Sequence, residues 1–155
     1  MTNIDAVDLR ILDQLQIDAR RSNKELARVC GVSPSTMLHR VRALESTGVI
    51  RGYHAEVDPS ALGRTVEAFV SVRLQPKTPA AVDEFMEAVW SLDETIAVTK
   101  LTGAYDVLVH VSVASIAALS ETVLTAVANA PHVTDEQTSI VFEHRAKRVL
   151  GALRP

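Results

Sequence analysis

The chain has 155 residues, of which 47% are hydrophobic and 23% charged, with a formal net charge of −3. That suffices for one ordinary domain or two small ones with a buried core; no stretch reaches the roughly 18 unbroken apolar residues of a membrane span, and the opening MTNIDAVDLR lacks the basic start and apolar run of a secretory leader, so a cytoplasmic protein with no membrane partner is expected. The single cysteine, Cys30, rules out an internal disulfide and a cysteine metal cluster, and His39, His54, His110, His132 and His144 show no i,i+4 or short-loop spacing of zinc ligands, so no metal site is expected.

From Asp5 to about Asp18, Val7, Ile11, Leu12 and Leu15 repeat as one face of a helix. Ser22-Asn23-Lys24-Glu25 then has the capping-box pattern, opening a short helix through Cys30 that Gly31 ends. Ser33 as N-cap and Pro34 at the first helical position restart the chain almost at once. Two helices joined by so tight a glycine turn must cross steeply. The second of them runs to about Thr47, with Gly48 as its stop, and turns Met37, Val41 and Leu44 inward. At about 100° per residue its opposite side presents Ser35, His39, Arg42 and Ala43, flanked by Thr36 and Arg40. Val49–Val57 is rich in strand formers and is expected as a short strand or wing, closed by Asp58-Pro59 and a linker.

Beyond the linker the period changes to two: Ala68, Val70, Val72 and Leu74 alternate with Glu67, Phe69, Ser71 and Arg73. Helical spacing returns over Pro79–Leu92, with Val82, Phe85, Met86, Val89 and Trp90 on one stripe. Thr95–Leu101 and Tyr105–Val113 are strands separated by the turn Thr102-Gly103-Ala104. Ser115 caps a helix bearing Ile116, Leu119, Val123 and Val127, and His132–Glu143 is the last strand. The order βαββαβ is that of a ferredoxin-like sandwich, one sheet face covered by helices and the other open. Phe69, Ser71, Leu108 and Val141 fall on the open face, which a second copy could cover by isologous packing, so a homodimer is expected. The fold class is therefore α+β, divided as 1–58 (helix-turn-helix), 59–66 (linker) and 67–155 (sheet domain).

Charge divides in the same way. Arg20–Arg51 holds seven Lys/Arg against two acids, whereas Ala61–Glu143 holds four against eleven. A basic segment inside an acidic chain suits phosphate. Ser35, Thr36, His39 and Arg42 are expected at base edges in the major groove of double-stranded DNA, with Lys24, Arg40 and Arg51 on phosphates. No nucleophile–base pair or phosphate loop stands out, and Gly103-Ala104-Tyr105-Asp106 has too few glycines for a dinucleotide fingerprint, so neither an enzyme nor a cofactor is expected.

Several short motifs in order carry a resemblance: Asp5-x-x-Asp8-x-x-Ile11-Leu12, Gly31-Val32-Ser33-Pro34-Ser35-Thr36, Arg40-Val41-Arg42-Ala43-Leu44-Glu45, Gly48-Val49-Ile50 with Gly52-Tyr53, and Gly103-Ala104-Tyr105-Asp106. With them nearly the whole chain resembles the Lrp/AsnC, or feast/famine, family of bacterial and archaeal transcriptional regulators. The resemblance implies a winged helix-turn-helix joined to a RAM-type domain, with dimers assembling further, often to octamers. It also implies an amino acid or related small metabolite held between dimers. By position, that effector site would comprise Leu101, Thr102, Gly103, Tyr105 and Asp106 with Gln137 and Thr138. The chain departs from the family at Ala104 and Ser139.

Overall fold

The computed structural model describes residues 4–153, with Thr122 described by its backbone alone. The chain forms two compact units, one running to Glu56 and taken up again from Arg145, the other spanning Val57–His144.

The first unit is built on three helices: α1 (Ala6–Ile17), α2 (Asn23–Cys30) and α3 (Pro34–Ser46). Each start is capped by a side chain that accepts otherwise orphaned amides. Ser22 and Glu25 form the capping box expected of them, and Ser33 accepts from the Thr36 amide. Asp5 and Asp8 form a second capping box at α1. Gly31 ends α2 in the left-handed conformation, φ 73°, where a side chain would be strained. Ile11, Leu26, Ala27, Cys30, Met37, Val41 and Leu44 make the core, with Val7, Leu12, Leu15, Val49 and Ile50 packed against it. The strand expected over Val49–Val57 is not formed. Its first two apolar residues turn into the helical core, and residues 51–58 remain exposed without ladder pairing. The segment from Arg145 groups with this unit: Leu150 exchanges two bonds with Gln16, through its amide (2.8 Å) and its carbonyl (3.3 Å).

The second unit contains β1 (Val66–Leu74), α4 (Pro79–Trp90), β2 (Thr95–Lys100), β3 (Val107–Val113), a helical segment α5 (116–128) and β4 (Val133–Ile140). Within α5, Leu119–Leu124 is wound as a π-type turn. The sheet is antiparallel with strand order β2-β3-β1-β4, the ferredoxin-like arrangement. Ala68, Val70, Val72 and Leu74 alternate inward as expected and meet Val107, Val109, Val111 and Val113 of β3. Phe85 and Val89 of α4 and Leu119, Val123 and Val127 of α5 cover them. Burying each such side chain contributes about 1.5–3 kcal/mol relative to leaving it in water. Trp90 and Ile116, expected on the buried stripes, lie at their margins and are 59% and 61% exposed.

The expected linker is largely built into this unit. Asp58 caps a 3-10 turn over Pro59–Leu62, Arg64 donates to the carbonyls of Ser112 and Asp93, and Thr65 donates to that of Ala114. Among the described residues no helix is long and apolar enough to cross a membrane.

Candidate nucleic-acid interface and effector hairpin

The outer side of α3 follows from its inner side. With Met37, Val41 and Leu44 buried, Ser35, Thr36, His39 and Arg42 are all exposed, as are Lys24 on α2 and Arg51 after α3. The hydroxyls of Ser35 and Thr36 lie 3.0 and 2.8 Å from Ser33 Oγ, a polar cluster at the helix N-terminus where the backbone amides also point outward. A helix end with these properties can meet a phosphate while the next turns reach the groove floor. Beyond the helix, the Tyr53 hydroxyl donates to Glu45 at 2.9 Å, fixing the start of the exposed segment against α3.

Arg40, expected on a phosphate, is ion-paired within the helical unit. Its guanidinium lies 2.7 Å from Asp5 and 2.8 Å from Asp8, so it clamps α3 to the N-terminus of α1. The same two carboxylates cap α1, and the Asp8 amide together with Arg40 holds the Asp5 carboxyl below its ordinary range. The Asp5-x-x-Asp8 motif therefore has a structural meaning: one pair of acids satisfies both a helix end and a cation from the reading helix.

The predicted effector residues are only partly brought together. Leu101, Thr102 and Gly103 form the exposed end of the β2–β3 connection, and Gly103 has φ 126° with open space where a Cβ would stand. The Tyr105 hydroxyl donates to Gln137 Oε1 at 3.0 Å, linking this connection to β4. Asp106 is turned inward instead. Its carboxylate accepts from the Leu74 amide at 2.9 Å and pairs with Lys77 at 2.9 Å, and these partners, the amide first, lower its pKa. Thr138 also lies elsewhere. The register sets Gln137 opposite Ser71 and Thr138 opposite Val70, and adjacent strand residues face opposite ways. Thr138 is thus on the helix-covered face, its hydroxyl buried without a hydrogen-bond partner among the described residues.

Two features escaped sequence reasoning. Arg73, at the end of β1, donates to the Ala104 carbonyl at 2.9 Å, lies 5.5 Å from the centre of the Tyr105 ring and comes within 3.8 Å of Asp135. Its place among the outward-facing alternates of β1 was the available signal. Glu67, His110 and His144 also converge on the open sheet face, although no histidine spacing had pointed to a metal-ligating group.

The sequence matches the model of the AsnC-type helix-turn-helix domain over residues 4–45 and that of the Lrp/AsnC ligand binding domain over residues 67–149. It is 37% identical over 141 residues to the HTH-type transcriptional regulator AldR of Mycobacterium tuberculosis, covering 91% of this chain and 79% of that protein. Identity to the leucine-responsive regulatory protein of Escherichia coli K12 is 34% over 141 residues, covering 91% and 86%. Among solved structures, a transcriptional regulator from Neisseria meningitidis in complex with L-Met superimposes with a TM-score of 0.86 at 30% identity, covering 94% of each chain. AsnC of E. coli gives 0.85 at 30% identity, covering 96% of this chain and 98% of that one. With its helical reader, its sheet domain and these matches along almost its full length, the chain belongs to the Lrp/AsnC family of DNA-binding transcriptional regulators.

Proposed function

We propose that this regulator reads DNA through Ser35, Thr36, His39 and Arg42 at base edges, steadied by Lys24 and Arg51 on phosphates. The carrying observation is that these side chains are exposed opposite the buried Met37, Val41 and Leu44. Arg40 serves by holding the helix at its angle. The protein acts in the cytoplasm by binding alone, without catalysis. Homodimers form through the open sheet face that bears Phe69, Leu108 and Val141, and they assemble to an octamer. Two reading heads on one base raise affinity through effective concentration.

The effector is an amino acid or a close relative, as the names of the leucine-responsive relatives and the L-Met complex support. Amides beside Gly103 receive its carboxylate. Gln137 and Tyr105 are the better placed to meet its amine, since both oxygens of Asp106 already have partners within the chain. Binding alters DNA affinity by favouring one assembly over another, typically by about 1–3 kcal/mol.

Sequencing the genomic fragments retained by the purified protein at low salt should yield a shared site, with affinity falling steeply as salt rises. No affinity for any duplex would overturn the DNA reading. Calorimetry against the proteinogenic amino acids tests the effector separately, and no heat at millimolar concentrations would remove it.

A further inference from the structure

We propose that Glu67, His110 and His144 form a divalent transition-metal site, and that Zn2+ is the ion it takes. The three side chains come from β1, β3 and the chain just beyond β4, and their ligating atoms all lie within 4.8 Å of one another. Glu67 and His110 are diagonal neighbours, because His110 stands opposite Phe69, and the carboxylate oxygen is 3.2 Å from Nε2. The Val141 amide donates to the Glu67 carbonyl at 2.9 Å, extending the β1–β4 pairing and bringing the following residues back over this face. Phe69 walls both imidazoles: its ring stacks on His110 at 4.4 Å and meets the edge of His144 at 6.5 Å.

The donor set decides the ion. Two neutral imidazoles and one carboxylate suit zinc and its neighbours; they offer too few oxygens for calcium or magnesium and no thiolate for copper(I). Tetrahedral zinc with bonds of about 2.1 Å places its ligands about 3.4 Å apart. Glu67 and His110 already meet that spacing, and His144, which is exposed, closes the remainder by a side-chain movement. Edge contacts with the rings of Phe69 and His110 hold His144 beside this pair. Three protein ligands leave a fourth coordination position open. The bound ion pins residues 141–144 to the sheet. All three ligands come from one protomer, on the sheet face that the proposed homodimer covers, and the site does not depend on the DNA or effector reading.

The test uses the full chain, stripped with chelator and titrated with Zn2+ by competition against a metal indicator and by thermal unfolding. The wild type should bind one Zn2+ per chain and unfold at a higher temperature when loaded. His144→Ala, which leaves the Glu67–His110 pair in place, and Glu67→Gln should each lower affinity at least about tenfold. Both should abolish the thermal shift, while His54→Gln, at a histidine of the helical unit, changes neither. Co2+ bound to the wild type should show the visible bands of tetrahedral coordination, absent in His144→Ala. If wild type and His144→Ala bind Zn2+ alike, or His54→Gln loses as much, the site does not exist.

Discussion

The helical reader and the sheet unit reach their sites by opposite routes. On α3 the candidate contacts belong to one short segment, and burial of Met37, Val41 and Leu44 is enough to place Ser35, His39 and Arg42 outside. In the sheet unit the candidates lie tens of residues apart, and pairing register decides which of them meet: Tyr105 finds Gln137, Asp106 finds Leu74 and Lys77, and Thr138 faces away. A site on a single helix inherits its geometry from local periodicity, whereas one on several strands inherits it from non-local hydrogen bonding.

The largest expected effect lies in the sheet core. Phe85→Ala should destabilise this unit by about 3–5 kcal/mol in denaturant unfolding, and a loss below about 1 kcal/mol would mean that α4 does not pack on the sheet as described. Asp106→Asn, which removes a charged acceptor from the Leu74 amide and an ion-pair partner from Lys77, should cost about 1.5–3 kcal/mol near neutral pH. Because the folded-state pKa of Asp106 is lowered, its contribution is present above the unfolded value and is lost as pH falls through the folded one. Wild type and variant should therefore converge in acid. A gap that persisted there would assign the loss to shape and not to charge.

On the reader, Arg42→Ala should lower discrimination between the preferred duplex and a scrambled one by about 1–3 kcal/mol in competition binding. Equal discrimination would remove Arg42 from the base-reading set. The finest distinction separates two arginines of like sequence character. Arg51→Ala should reduce the slope of log affinity against log salt by about 1, as expected of a phosphate contact. Arg40→Ala should leave that slope unchanged and instead lower the thermal stability of the helical unit, since its partners are Asp5 and Asp8. A reduced slope in Arg40→Ala would return it to the phosphate set.

Much of the architecture was legible because caps and periodicities are local. Ser22 with Glu25, Gly31, Ser33 with Pro34, and the alternation from Ala68 to Leu74 each state their structure within a few residues. The strand expected over Val49–Val57 was not formed, because strand propensity without a partner edge makes no ladder. The attachment of residues 59–66 was not legible, since nothing near Arg64 in sequence reveals that Ser112 and Asp93 accept from it.

The order of helices and strands, the basic character of the reading helix and the acidity of the sheet unit were determined by the sequence alone, since each depends on neighbouring residues. Tertiary structure decided that Arg40 is a clamp, that Thr138 turns inward, that Leu150 binds Gln16, and that His110 and His144 converge on Glu67. Those outcomes depend on partners from 32 to 134 positions away: strand register and helix packing bring such pairs together, and no local pattern encodes the distance between them.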